Sequence, residues 1–297
     1  MDDNPRDPIF ALIEQGDFAD AFEHIQPLVA SAMQSGDDDM LGELLEARAE
    51  CSLGLNQWEE AQKDFEQALA IATQHKDIVG QANCLFGLGR LFTQQGQALK
   101  ALRYYHQVIP LTRQRRDTKG QITALNSVGQ CYYQLEKSAQ AIEYHYQALQ
   151  LAKTLGDIRE QARSLTFLGE VYSMLGHHER AIGYFKEALD LARKYNDVER
   201  EHICLGNLAV ANAALGNYSQ AVQCHKDAIQ VMRRVRNIVG EADHLAGLGA
   251  IYMSAGDHQS AIDYFEEARA IYDVQGIDRL VVDMDVHIER ASRHINL

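Results

Sequence analysis

Apolar residues along this chain recur in mixed steps of three and four, the pattern of helices that bury one face. In residues 160–199, Leu165, Leu168, Gly169, Val171 and Tyr172 mark one helix. Ala181, Ile182, Phe185, Ala188 and Leu189 mark a second, across a short turn around Leu175-Gly176-His177. Two helices of this size cannot bury their apolar faces alone. The pattern returns at a period of 40 residues, so each pair is covered by copies of itself. The chain is therefore expected to be all-α, a helical-repeat solenoid of about seven helix-turn-helix units.

Aligning the repeats gives columns with separate physical causes. Ala21, Ala61, Ala101, Ala141, Ala181, Ala221 and Ala261 form one, where a larger side chain would push paired helices apart. Gly16, Asn56, Gly96, Glu136, Gly176, Gly216 and Gly256 form the turn inside each pair, where a left-handed residue ends the first helix. Glu136 departs from that chemistry and is expected to need a different turn. Asp37, Asp77, Asp117, Asp157, Asp197 and Asn237 precede the next pair and are expected to cap its first helix or shape the connecting turn.

A column of small residues, Gly89, Gly129, Gly169, Ala209 and Gly249, lies inside the first helices. Glycine there costs up to about 1 kcal/mol against alanine, so something bulky is expected to pack on it. The aromatic columns supply that bulk: Phe65, Tyr105, His145, Phe185, His225 and Phe265, and Phe18, Trp58, His178, Tyr218 and His258.

The layout expected is repeats near 1–39, 40–79, 80–119, 120–159, 160–199, 200–239 and 240–279, in a single domain, with a capping helix over 280–297. The first helix of repeat 1 is short, near Pro8–Gln15. In the cap, Val281, Met284, Ile288, Ala291 and Ile295 form the apolar stripe, and Asp283, Asp285, Glu289 and Arg290 face outward. Pro27 and Pro110 fall within second helices and predict a kink or an early stop.

Leu165, Leu168, Gly169, Tyr172, Gly176, His178, Ala181, Phe185 and Ala188 together resemble the motif of the tetratricopeptide repeat (TPR) family. The resemblance covers nearly the whole chain and implies a right-handed superhelix. The 40-residue period is similar to the longer-helix subclass found in Leu-Gly-Asn-type adaptors and in MalT- and Rap-like bacterial regulators. A repeat scaffold specifies fold more closely than function, since it hosts many partners.

Composition narrows the function. A net charge of −14 keeps a long surface soluble and argues against nucleic acid, whose phosphates need a basic face. No apolar run is long enough to span a membrane, and the acidic N-terminus MDDNPRDP lacks a secretion signal. Cys51, Cys84, Cys131, Cys204 and Cys224 form no CxxC pair and fall within helical patterns, so reduced thiols and a cytoplasmic location are expected.

No catalytic, phosphate-binding or metal-spaced motif is present, so no enzyme activity, cofactor or metal is expected. His177 and His178 have no third ligand placed by the pattern. His145, His178, His225 and His258 occupy aromatic columns and read as packing residues. The basic runs Arg113, Arg115, Arg116, Lys119 and Arg233, Arg234, Arg236 suit the negative ends of second helices, with an acidic docking patch as the alternative.

The resemblance implies that the first helices line a concave face. Its positions read as three zones. Glu43, Glu46 and Glu50 form an acidic stripe. Asn83, Phe86, Arg90, Asn126, Gln130, Tyr133, Arg163, Thr166 and Glu170 form a polar zone suited to the main chain and carboxylates of a peptide. Ile203, Gly206, Val210, Ala213, Ala214, Ala246, Ala250 and Met253 form an apolar strip that could anchor a partner or a second copy. The lysine-asparagine clamp for chaperone tails is missing. The expected role is a non-enzymatic adaptor that holds a peptide or helix of a partner protein. A shape-changing peptide or ligand receptor and a self-assembling homo-oligomer are the alternatives.

Overall fold

The computed structural model describes residues 7–295, and every regular element among them is an α-helix. Fifteen are described: α1 (Asp7–Gln15), α2 (Phe18–Ser35), α3 (Asp38–Gly54), α4 (Trp58–Gln74), α5 (Ile78–Gln94), α6 (Ala98–Gln114), α7 (Thr118–Gln134), α8 (Ser138–Leu155), α9 (Ile158–Met174), α10 (His178–Lys194), α11 (Val198–Ala214), α12 (Tyr218–Arg234), α13 (Ile238–Ala255), α14 (His258–Val274) and α15 (Asp278–Ile295). The chain divides into two compact units, 1–151 and 152–297, with the division inside α8. Residues 1–6 and 296–297, which include parts of the expected first repeat and cap, lie outside the described residues.

The Asp/Asn column starts the first helices. Asp37, Asp117, Asp157, Asp197 and Asn237 each accept a hydrogen bond from the backbone N–H three residues on, and Asp77 accepts from Val79 and Gly80. These bonds satisfy donors that a helix start leaves open. Each first helix thus begins directly after its cap, two residues ahead of the repeat start read from sequence.

The turn inside each pair is the same throughout. Glu136 takes a left-handed φ of +57°, beside Asn56 at +59° and glycines from +71° to +85°. The different turn expected at Glu136 does not occur, because Lys137 N–H still bonds to Tyr132 O at 2.9 Å and closes the helix end. A second left-handed column lies between pairs: Gly36, Lys76, Arg116, Gly156, Asn196, Arg236 and Gly276. Lysine and arginine give no sequence signal for that conformation.

The alanine column is fully buried from Ala21 to Ala261. A Cβ on Gly89, Gly129, Gly169 or Gly249 would meet the ring of Tyr105, His145, Phe185 or Phe265 of the same pair at a forbidden distance. Where the column holds alanine, at Ala49 and Ala209, the rings of Phe65 and His225 instead lie against Gly87 and Gly247 of the following pair. The side each ring uses thus follows two positions together: glycine in its own pair, or alanine there with glycine in the next pair.

Stacked rings join the helices of several pairs: Phe92 with Tyr104, Tyr172 with Tyr184, and Tyr252 with Tyr264, at centroid distances of 5.4–5.5 Å. The equivalent positions in the second pair are Ser52 and Asp64, and Arg48 binds Asp64 through two hydrogen bonds of 2.6 and 2.8 Å.

Neither proline stops its helix. α2 runs through Pro27 and α6 through Pro110, the latter at the same 17-residue length as its neighbours. Buried Ile25 and Val29 flank Pro27, and buried Val108, Ile109 and Thr112 surround Pro110, so packing offsets the lost backbone bond. In α15, Met284 and Ala291 are buried but Ile295 is exposed, so the expected apolar stripe is shorter by its last residue. Asp285 and Glu289 stand where earlier first helices carry Leu245 and Gly249; Asp285 accepts from Arg269 of α14, and Glu289 accepts from Arg293 of α15 itself.

Candidate functional site

Within the first unit, Glu43, Glu46 and Glu50 lie one above another on α3, as spacings of three and four require. They face α5, where Asn83 Nδ2 donates to Glu46 Oε1 at 3.0 Å and Arg90 Nη1 donates to Glu50 Oε2 at 2.7 Å. A cavity of about 650 Å³ opens here, lined by Phe10 and Ile13 of α1, the three glutamates, Val79 and Asn83. Phe10 and Val79 are exposed at 44% and 45%, an apolar wall beside an acidic floor. Desolvation pushes the Glu46 carboxyl up to about 7; the Asn83 bond opposes this, and the charges of Glu50, Asp77 and Glu43 add to it.

A smaller recess of about 280 Å³ shares Glu46, Glu50 and Asn83 with this cavity and is walled by Phe86, Thr112, Arg115 and Thr123. Gln130 is half-buried on α7. Asn126 is not a surface residue. It is fully buried and its Oδ1 meets His145 Nδ1 at 3.0 Å. The cause is local: an imidazole in a column of phenyl rings needs a polar partner, and Asn126 supplies it.

Within the second unit, Arg163 lies over the Phe167 ring at 5.7 Å and 3.5 Å from Glu160. It borders a recess of about 610 Å³ with Arg159, Asn196, Val198 and Arg200. Glu170 accepts from Asn207 Nδ2 at 3.4 Å. Thr166, expected on the surface, is fully buried: its hydroxyl donates to Ala162 O at 2.8 Å and lies 3.5 Å from Cys204 Sγ. Val210 is 58% exposed, and Met253 is half-buried with its sulfur 3.5 Å from His258 Nδ1.

Of the twenty face residues singled out from sequence, eighteen thus reach solvent, and Asn126 and Thr166 do not. The residues that sequence missed are Phe10 and Val79 at the acidic cavity and Arg200 at the arginine recess. For two of them the signal was present only as columns: Val79 stands before the Gly80 position, and Arg200 takes the place of Gly240.

Cys51, Cys84, Cys131 and Cys204 are buried and Cys224 is half-buried, all as free thiols. Burial raises the thiol pKa at each, up to about 12 at Cys84, which leaves them poor nucleophiles. Among the described residues no group of His, Cys, Asp and Glu is placed to hold a metal ion, and no helix is long and apolar enough to cross a membrane.

The helical pairs, caps and surfaces define a repeat protein that presents the faces of its first helices. The tetratricopeptide repeat model matches residues 42–114, 120–194 and 202–273, and the chain belongs to that family. No curated protein matches it. Among solved structures it is similar to BtubC from P. vanneervenii, at 20% identity and a TM-score of 0.65, over 74% of this chain and 92% of that one. It is also similar to a Rap protein complexed with competence and sporulation factor, at 16% identity and a TM-score of 0.67, over 94% and 79%. A third is aspartyl phosphate phosphatase F from Bacillus subtilis, at 15% identity and a TM-score of 0.66, over 98% and 85%. At these identities the likeness is one of fold.

Proposed function

We propose that the chain is a non-enzymatic interaction scaffold whose first-helix faces hold a peptide or helix of a partner protein. The observation that carries this is the 650 Å³ cavity of the first unit, where Glu43, Glu46 and Glu50 stand beside exposed Phe10 and Val79. An acidic floor with an apolar wall suits a partner segment that pairs a basic residue with an apolar one. Asn83, Arg90 and Gln130 orient the segment in this reading. In the second unit Arg163, Glu170, Val210 and Met253 give a separate contact surface. The net charge of −14 supports a protein partner over nucleic acid, and the reduced thiols support a cytoplasmic setting.

The experiment is affinity capture from the native cell extract by wild type beside Glu43→Lys and Arg163→Glu, each at exposed or half-buried positions. Loss of a captured protein in one variant, at unchanged melting temperature, is the expected result. Identical captured sets in all three overturn the assignment of these faces.

A second reading is a regulatory receptor, favoured by the extent of the fold match to the Rap complex, 94% of this chain. A receptor changes shape on binding and a passive scaffold need not, so small-angle scattering with and without the captured partner separates them. Self-association through the exposed Val210 strip predicts a mass that rises with concentration.

A further inference from the structure

At the junction of α12 and α13 the Nδ1 atoms of His225 and His244 lie 3.2 Å apart, and both rings are buried. A third imidazole, His202 on α11, meets His244 edge-on with centroids 5.6 Å apart. The repeat supplies a comparison. Four periods earlier, His225, His244 and Gly247 correspond to Phe65, Cys84 and Gly87. Phe65 lies against Gly87 as His225 lies against Gly247. The two joints place a ring in the same way and differ in chemistry. One joins a phenyl ring to a thiol-bearing helix, and the other joins two imidazoles.

We propose that the His225–His244 pair is an acid-sensitive joint: neutral, it holds α12 against α13, and charged, it parts. The shared edge has room for one proton. In the neutral pair one Nδ1 donates and the other accepts. One added proton leaves an imidazolium that still donates across the gap. A second puts hydrogens on both facing nitrogens, and the rings repel. Nε2 of His244 is buried without a protein partner, so no hydrogen bond stabilises charge from its other side.

The surrounding charges come from α11 and α13. On α11, Glu199 favours the charged form of His202 and Arg200 opposes it. His202 opposes charge on His244, while Asp243 on α13 favours charge on both and is held by the Tyr272 hydroxyl of α14 at 2.6 Å. The charge acting on His225 of α12 is that of His244. Burial dominates and holds His225 and His244 down to about 4, from an ordinary 6.5. The folded value is the lower, so the unfolded chain binds more protons between the two. The joint's contribution is present above about 6.5 and lost as pH falls toward 4.

The test is hydrogen exchange of the full chain at about pH 7 and about pH 4.5, corrected for intrinsic rates. Protection of α12 and α13 is expected to fall about tenfold or more in wild type. His225→Phe/His244→Cys, which rebuilds the Phe65/Cys84 joint, is expected to lose less than about twofold there. Equal loss in both proteins overturns the proposal. Should the double variant fail to fold, imidazole nitrogen NMR of wild type decides. Loss of protection in step with charging of His225 and His244 supports the joint, and two imidazoles that titrate near the ordinary value with protection unchanged overturn it.

Discussion

Arg193 Nε on α10 donates to Glu201 Oε1 on α11 at 2.9 Å, and Glu201 is buried to 8% exposure. Arg234 of α12 reaches the other oxygen at 3.1 Å, so one carboxylate ties three successive helices. The bond repeats one period later between Arg233 and Glu241 at 2.7 Å. The basic ends of these second helices are thus engaged within the fold.

Glu201→Ala leaves two guanidiniums without their shared acceptor. Both arginines are largely solvated, which limits the cost, so a loss of about 1–2 kcal/mol is expected. Urea unfolding measures it. Arg234→Ala should cost less than Glu201→Ala, because Arg193 then still holds the carboxylate.

The choice each ring makes between neighbours is open to a double-mutant cycle. Gly169→Ala drives a methyl into the Phe185 ring and is expected to destabilise by about 1–3 kcal/mol. In the pairs that carry alanine at this column, the ring lies over a glycine of the next pair, and Phe185 has Asn207 at that place. Adding Asn207→Gly should recover part of the loss by giving the ring that alternative seat. Additive effects of the two substitutions would mean that space alone does not set the ring's side.

Acid should stabilise the acidic cavity. Glu46 is pushed up to about 7 from 4.5, so the folded chain binds more protons between these values. Its contribution is present below about 4.5 and lost as pH rises through about 7. Glu46→Gln is expected to flatten this part of the stability–pH curve, measured by denaturant unfolding of each protein from about pH 5 to about pH 8. The sign is opposite to that of the His225–His244 joint. Hydrogen exchange resolved by helix separates the two, with α3 and α5 gaining protection as α12 and α13 lose it.

The fold was legible because its causes are local and repeated. Aspartate caps, the alanine column and the glycine seats for aromatic rings each recur at one spacing, so a departure in one repeat is corrected by six others. The surface was less legible for the opposite reason. Asn126 and Thr166 occupy face positions by count, yet Asn126 is drawn inward by His145 in its own pair, and Thr166 by a helix carbonyl and Cys204. Those are relations between columns, and a single column cannot reveal them. The cavity beside Glu46 is of the same kind, since Phe10 comes from the short α1 that departs most from the repeat.

The left-handed turns make a graded prediction. Glu136 at +57°, Arg116 at +56° and Arg236 at +58° carry side chains in a conformation that costs roughly 1–2 kcal/mol for most residues. Glycine removes that strain but adds freedom to the unfolded chain, so each replacement by glycine should stabilise by up to about 1 kcal/mol. Asn56 and Asn196 hold the same conformation at +59° and +53°, and asparagine tolerates it through local hydrogen bonding. Asn56→Gly should therefore gain less than Glu136→Gly. Melting temperatures of the single variants measure the order. An equal or larger gain at Asn56 would mean that strain at these turns is already relieved by the backbone bonds that close the helix ends.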